Sequence, residues 1–258
     1  MPALALGACS RPIAIPAAQS GQTVNFKGDE AFGIMPDVFR TIASATGCIF
    51  KWSLVPRIRV EAMFENGTAD LLLAATESER RSQHGTFVAL VESRATLISL
   101  ASERPRIGNF EELLARRELR IALVRGYDYG ERYRALVQKL IAQGRVYFEP
   151  DPITVGRLLA HGMADATIMP PTALAGALRD DPRFESLLPR LRIEPLEELP
   201  WIKTGIYLSN KSLSQADRDM LEKAIIAARR SGAWWNAVTH YYSKAELADH
   251  VRQLEPGK

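Results

Sequence analysis

Three arginine residues in the first third of the chain offer its clearest potential for binding chemistry. Arg80 and Arg81 follow Thr76 closely, and Arg57 lies upstream, directly after Pro56. A guanidinium group presents parallel N–H donors that match the two oxygens of a carboxylate. Acidic residues interrupt this arginine run, so a solvated surface with no ligand is the competing interpretation.

A glycine turn further along the chain is the second candidate. Arg125 and Gly126 follow an apolar run and precede Tyr127 and Asp128, before a predicted helix over about 129–142. Backbone N–H groups at a helix N-terminus favour an anion, so this turn is a candidate anion site. Asp128 is equally typical of a helix cap. Tyr127 is positioned either to narrow such a site or to stack on a ligand.

Signals for catalysis, metals and nucleic acids are weak. The four histidines do not occur in metal-ligand spacing, and the sequence contains no P-loop, dinucleotide fingerprint or nucleophile elbow. We therefore predict no cofactor and no metal. The net charge of +3 comes without a block of basic and aromatic residues, so nucleic-acid binding is not predicted. Asp128 is the one acid that we can name as a potential catalytic group.

One short sequence motif occurs twice and indicates how these residues are organised. Residues 66–70 read Asn-Gly-Thr-Ala-Asp and residues 161–165 read His-Gly-Met-Ala-Asp, and an apolar run follows each. Each copy is typical of a helix that ends at glycine and leads into a buried strand. The repeat predicts two α/β lobes with the same helix-to-strand joint, and a ligand cleft between them. We interpret Asp70 and Asp165 as structural, since they precede their strands.

Strands and helices alternate along the rest of the chain, which predicts parallel sheets. The β-rich segments near 97–101 and 204–208 flank the second set of elements. We expect lobe 1 to consist of residues 1–100 and 205–258, and lobe 2 to be an insertion of residues 101–204. The two flanking segments would then cross between the lobes and act as a hinge.

The two cysteines bear on cellular location. Cys9 and Cys48 each precede a predicted strand, and these strands are adjacent if they form one βαβ unit. A disulfide can span that separation, and an even cysteine count fits an oxidising compartment. Two unrelated buried thiols are the alternative. The apolar stretch before Cys9 is similar to the end of a signal peptide and to a lipoprotein cleavage box, so we expect export, with a lipid on Cys9 as the less favoured outcome.

Six segments in order resemble the bacterial extracytoplasmic solute-binding proteins of family 3, which serve amino-acid ABC transporters. The similar segments extend over nearly the whole chain: 33–38, the joint at 60–70, 76–80, 87–88, 124–127 and 205–208. The resemblance implies the two-lobed periplasmic binding protein type II fold, with two hinge crossings and a cleft between the lobes.

The resemblance also implies roles for particular residues. In the family, the arginine of a T-x-x-R segment binds the ligand carboxylate, and Arg80 is the best match, with Arg81 as the alternative. The family's amino-acid binders commonly carry an aspartate, which pairs with the ligand's α-ammonium, where this chain has Pro170. Arg57 stands where the family often has an aromatic residue. A lost acid and a gained base favour an acidic or non-amino ligand.

The sequence therefore predicts an extracytoplasmic solute-binding protein that closes two lobes over a small, carboxylate-bearing ligand and delivers it to an ABC permease. We expect a periplasmic monomer. An enzyme similar to cyclohexadienyl dehydratase and a periplasmic sensor subunit are the alternatives. The candidate ligand-binding residues of lobe 1 are Thr76, Arg80 and Arg57. Those of lobe 2 are Arg125, Gly126, Tyr127, Asp128, Met169 and Trp201, and Trp201 lies just before the hinge segment at 204–208.

Overall fold

A computed structural model describes residues 8–247 and 250–254. The chain divides into two compact units. Among the described residues, unit 1 contains 8–91, Lys203–Lys244 and 253–254, and unit 2 contains Glu92–Ile202, 245–247 and 250–252. The predicted lobe boundaries differ in detail, since the chain first passes between units at Val91 and the segment Ala245–Arg252 returns to unit 2.

The first part of the chain alternates short strands and helices. Its elements are β1 (Ile13–Ala17), β2 (Asn25–Lys27), β3 (Glu30–Phe32), α1 (Ile34–Thr46), β4 (Phe50–Leu54), α2 (Arg57–Asn66), β5 (Leu71–Thr76), α3 (Glu79–Ser82) and β6 (Gly85–Ser93). The first helix, α1, buries Ile34, Val38, Phe39 and Ile42. Their spacing of three and four residues places them on one helical face, and the helix ends at Gly47 in the left-handed conformation.

Unit 2 follows the same alternation. Its elements are β7 (Thr96–Leu100), α4 (Phe110–Ala115), β8 (Ile121–Val124), α5 (Glu131–Ala142), β9 (Val146–Glu149), α6 (Pro152–Ala160), β10 (Ala166–Met169), α7 (Pro171–Arg179), a 3₁₀ helix (Glu185–Arg190) and β11 (Leu191–Glu194). The remaining elements are β12 (Ile202–Ser209), α8 (Gln215–Arg230), α9 (Ala233–Tyr241), α10 (Lys244–Leu247) and β13 (Val251–Gln253).

The sheets combine parallel and antiparallel pairs. In unit 2 the strand order is β11-β7-β10-β8-β9, and β8 runs parallel to both β9 and β10. In unit 1, β1 pairs in parallel with β4. A further sheet has the strand order β13-β6-β12-β5. Strand β7, which the sequence predicted as a hinge crossing, instead lies inside the sheet of unit 2, antiparallel to β10 and β11.

The repeated sequence motif forms the same helix-to-strand connection in both units. The backbone N–H of Asp70 donates to the carbonyl of Ala14 on β1, and its carboxylate accepts from Ala14 N and from the Arg11 guanidinium at 2.7 Å. Asp165 likewise binds the backbone of Arg120, just before β8, and accepts from the Arg120 guanidinium at 2.9 Å. Each aspartate thus fastens its strand to the first parallel strand of its unit, as the structural interpretation predicted.

A disulfide anchors the start of the described chain. Cys9 and Cys48 are bonded, with their Cα atoms 4.9 Å apart, which confirms the predicted pairing. The parallel pairing of β1 with β4 places the two cysteines side by side, as the sequence argument required. Next to the disulfide, the backbone N–H of Ser10 donates to Asp217 at 2.9 Å, at the first turn of α8.

Candidate functional site

Arg80, the residue that the sequence favoured, lies on the surface of unit 1. Its side chain is 69% exposed and pairs with Glu65. The short helix α3 explains this position, because it begins after Ser78, whose hydroxyl accepts from the backbone N–H of Arg81. Arg80 therefore points to solvent, whereas Arg81 points inward, and the candidate site moves to Arg81, the alternative donor.

Arg81 is almost completely buried, at 6% exposure, and all three of its side-chain nitrogens donate hydrogen bonds. Its Nη2 and Nε donate to the Glu61 carboxylate at 2.7 and 3.3 Å. Its Nη1 donates to the carbonyl and to the hydroxyl of Thr76 at 2.9 and 2.8 Å. Thr76, a predicted site residue, thus belongs to the same cluster as Arg81.

Arg57 is the second guanidinium of this cluster. Its Nη2 donates to Glu61 Oε1 at 3.1 Å, one helical turn along α2. The side chains of Arg57, Glu61 and Arg81 are only 16%, 11% and 8% exposed. One carboxylate is therefore shared by two guanidinium groups, and we call these three residues the arginine-pair cluster. Its formal charge is +1.

The two arginines keep Glu61 ionised. Burial opposes the charged form and by itself would raise the pKa of Glu61. The positive charge of Arg57 and the hydrogen bond and charge of Arg81 outweigh this effect and hold the pKa of Glu61 below its ordinary value. The cluster therefore remains a charged site, with one surplus positive charge, throughout the neutral range.

An irregular stretch of β5 leads into this cluster. The register between β5 and β12 shifts between Gly205 and Tyr207, and Ala74 has a positive φ of 48°. A non-glycine residue in this conformation is uncommon and costs about 1–2 kcal/mol. Gly205 lies so close to β6 that an added Cβ would meet the Val88 carbonyl oxygen at 2.0 Å. The bulge changes the direction of the chain just before Thr76. Bulges and positive φ values at non-glycine residues are frequent beside functional sites.

The glycine turn of unit 2 has its own local partners. Asp128 accepts from the backbone N–H of Gly130 at 2.9 Å and pairs with Arg134 at 2.8 Å, so it stabilises the start of α5. The backbone of Gly126 has a positive φ of 85°, and Arg125 donates to the Phe148 carbonyl at 3.0 Å. Asp128 thus binds the backbone N–H of Gly130, the N-cap residue of α5, and is not the N-cap itself. The ligand roles of this turn remain predictions.

Tyr127 begins a small aromatic group. Its ring lies 6.1 Å from that of Tyr129, whose ring lies 4.9 Å from that of Tyr133. Tyr129 and Tyr133 are buried and Tyr127 is half-buried. Burial raises the pKa of Tyr133, so this phenol stays neutral. Tyr127 is the most exposed member of the group, and its predicted contact with a ligand remains a prediction.

The other two predicted residues of unit 2 differ in accessibility. Met169 ends β10 and is fully buried, so it supports the core rather than a surface. Trp201 is half-buried, and the guanidinium groups of Arg94 and Arg252 lie over its ring, 4.9 and 4.4 Å from the ring centroid. Pro170 follows β10 and is the residue before α7, so this strand end carries no carboxylate.

Glu61 is the member of the arginine-pair cluster that the sequence analysis missed. The available signal was its position four residues after Arg57 on a predicted helix, a spacing at which opposite charges pair. Its second contact, to Arg81, depends on the packing of α2 against the end of β5 and is not visible in the sequence. Within residues 8–247 and 250–254, no group of three or more histidine, cysteine or acidic residues is arranged to hold a metal ion.

No protein-family model matches the sequence, and neither does any curated protein. Solved structures do match. One is a histidine kinase sensor domain with similarity to periplasmic binding proteins, at a TM-score of 0.72, with 16% identity over 95% of this chain and 98% of the other. The chain has a periplasmic-binding-protein-like fold. The predicted α/β, two-lobed fold class is therefore confirmed.

Two further structures show the range of proteins with this fold. The arginine-, lysine-, histidine-binding protein ArtJ of Geobacillus stearothermophilus has a TM-score of 0.72, with 12% identity over 95% of this chain and 97% of that one. The AvGluR1 ligand-binding domain, solved with glutamate, has a TM-score of 0.71, with 14% identity over 92% and 97%. At these identities the likeness establishes the fold alone. No helix among the described residues is long and apolar enough to cross a membrane.

Proposed function

We propose that this chain is an extracytoplasmic solute-binding protein that captures a small, carboxylate-bearing ligand and delivers it to an ABC transporter. The fold supports solute binding, since transporter substrate-binding proteins share it at TM-scores near 0.7. The disulfide supports export to an oxidising compartment such as the periplasm. We further propose that the protein acts as a monomer and closes its two units over the ligand by hinge motion.

The arginine-pair cluster is the single observation that carries the ligand class. Its three charged side chains are mostly buried, and their formal charges leave one positive charge uncompensated. A poorly solvated charge is costly unless it is paired, and a ligand carboxylate would supply that pair. The missing acid at Pro170 favours a carboxylate without a free α-ammonium group over a neutral amino acid.

Calorimetric titration tests this proposal. Arginine-, glutamine- and glutamate-bound structures share the fold, so the panel contains these amino acids together with glutarate and its uncharged analogue glutaramide. We expect glutarate to bind and glutaramide not to bind. A triple variant, R57Q/E61Q/R81M, removes all three charges of the cluster and should lose glutarate binding while circular dichroism shows a folded protein.

The neighbouring arginine provides a matched control for the same titration. Arg80→Ala removes an equal charge one residue away, from an exposed ion pair with Glu65, and should leave the affinity unchanged. Failure of every carboxylate to bind the wild-type protein, or full binding by the triple variant, would refute the proposed ligand class.

A sensor role is the second candidate, and the match to a histidine kinase sensor domain favours it. A deletion strain separates the two roles. Loss of ligand uptake with an intact transcriptional response indicates transport, and the reverse indicates sensing. The enzyme alternative has little support, because Asp128, its one named acid, is engaged by Arg134 and by the backbone of Gly130.

A further inference from the structure

We infer that Arg57, rather than Arg81, is the residue that contacts the ligand carboxylate, and that Glu61 and Arg81 brace it. This inference rests on the proposed function and assigns separate roles to the members of the arginine-pair cluster. Each guanidinium group has five N–H donors, and the two groups use them differently.

Arg81 has little donor capacity left. Its Nε and Nη2 are held by the Glu61 carboxylate, and its Nη1 is held by two oxygens of Thr76 at 2.9 and 2.8 Å. To bind a ligand carboxylate along its Nε–Nη2 edge, Arg81 would have to release Glu61. That exchange would leave the buried Glu61 carboxylate without the hydrogen bonds from Arg81, so the net gain in binding free energy would be small.

Arg57 is poorly satisfied by comparison. It makes one hydrogen bond of ordinary length, to Glu61 at 3.1 Å, and one at the limit of 3.5 Å, to the carbonyl of Leu73. Its Nε is buried and has no partner among the described residues. Glu61 is also shared unequally, because its shortest contact, 2.7 Å, is with Arg81. The uncompensated positive charge of the cluster therefore resides mainly on Arg57.

The backbone at Arg57 adds to this preference. Arg57 is the first residue of α2, a helix of 10 residues whose N-cap, Pro56, supplies no side-chain hydrogen bond and whose first turn contains no acid. A helix N-terminus carries a partial positive charge and backbone N–H groups without helical partners. An arginine in this place is normally unfavourable, and a bound anion would satisfy both the helix terminus and the guanidinium.

The geometry thus assigns one carboxylate to Arg57. Such a group, added to the cluster, brings its formal charge to zero without disturbing the contact between Glu61 and Arg81. The ligand needs one carboxylate at this position, and a second acidic group on the ligand would require a partner elsewhere.

Two variants of defined charge test this assignment by titration with glutarate. Arg57→Gln removes the contact and leaves a neutral Glu61–Arg81 pair, and we expect the affinity to fall by about thirtyfold or more. The double variant E61Q/R81M removes the brace as a neutral pair and keeps the +1 charge on Arg57. We expect it to retain glutarate affinity to within about tenfold, although its melting temperature falls.

The outcomes separate the two proposals. Wild-type affinity in R57Q, or abolished binding in a folded E61Q/R81M protein, assigns the carboxylate to Arg81 and overturns this inference while the proposed function stands. Failure of every carboxylate of the panel to bind the wild-type protein removes the proposed ligand class and this inference with it. Arg57→Lys keeps the charge but loses the planar pair of donors, and it should bind more weakly than wild type and more tightly than R57Q.

Discussion

In each unit, one aspartate binds a neighbouring strand, and the two aspartates differ in burial. The Asp70 side chain is 2% exposed and pairs with Arg11, whereas Asp165 is 30% exposed and pairs with Arg120. Burial pushes the pKa of Asp70 upward, but its hydrogen bonds from Arg11, Ser212 and Ala14 hold that pKa below the ordinary value. The same motif should therefore contribute more to stability in unit 1 than in unit 2.

Asp70→Asn is predicted to lower the free energy of unfolding by about 2–4 kcal/mol at pH 7, because it leaves buried donors without a charged acceptor. Asp165→Asn, the matched control, should cost about 1 kcal/mol or less, since both Asp165 and its partner Arg120 reach solvent. Urea unfolding curves measure both. Equal losses in the two variants would contradict the burial argument.

The pH dependence of the Asp70 effect has a defined sign. A carboxyl whose pKa is lowered on folding contributes stability above its unfolded pKa of about 3.9, and this contribution disappears as the pH falls through the folded value. The difference between wild type and D70N should thus be full at pH 7 and shrink below about pH 4. Unfolding curves from pH 7 to pH 3 check this, and a difference independent of pH would refute it.

At the scale of elements, close backbone approach decides where side chains are tolerated. Gly205 on β12 faces the Val88 carbonyl of β6, and an added Cβ would meet its oxygen at 2.0 Å. Gly205→Ala should cost about 3 kcal/mol or more, because two hydrogen-bonded strands must separate. Gly108→Ala is the control, since its nearest neighbour, a Glu112 oxygen, is 4.0 Å away. Thermal unfolding of both variants tests this, and equal melting temperatures would show that the strands adjust.

Elements also show where the sequence was sufficient. The glycine-stopped helices and the buried strands were predictable because they depend on local pattern. The parallel pairing of β1 with β4 was predictable because strands joined by one helix are usually neighbours. The position of β7 was not, since its antiparallel pairing with β10 and β11 is a long-range choice. Arg81 rather than Arg80 is the buried arginine because α3 begins after its N-cap, Ser78, and a shift of one residue on a helix turns a side chain by about 100°.

At the scale of the whole molecule, the disulfide ties the start of the described chain to unit 1. Replacing both Cys9 and Cys48 with serine should lower the free energy of unfolding by about 4 kcal/mol in the chain-entropy model, since the bond closes a loop with a sequence separation of 39. Urea unfolding measures this loss. Thiol labelling of exported, unreduced protein should detect no free cysteine. Two free thiols, or a lipid on Cys9, would show that the bond does not form in the cell.

The proposed ligand preference concerns the function of the whole molecule. The end of β10 has Pro170 where the resemblance implies an acid for the α-ammonium group, so glutarate should bind at least about tenfold more tightly than glutamate. Pro170→Asp restores that acid at an N-cap position, which aspartate favours. We expect it to reduce the ratio of glutarate to glutamate affinity by about tenfold, or about 1.4 kcal/mol.

Pro170→Asn is the control for this last prediction, since it caps α7 as well as aspartate does but adds no charge. Calorimetric titration of all three proteins with both ligands gives the ratio directly. A ratio that changes equally in both variants would assign the effect to the loss of proline. An unchanged ratio in folded P170D protein would show that the end of β10 does not face the ligand's α-carbon, and the preference for ligands without an ammonium group would need another cause.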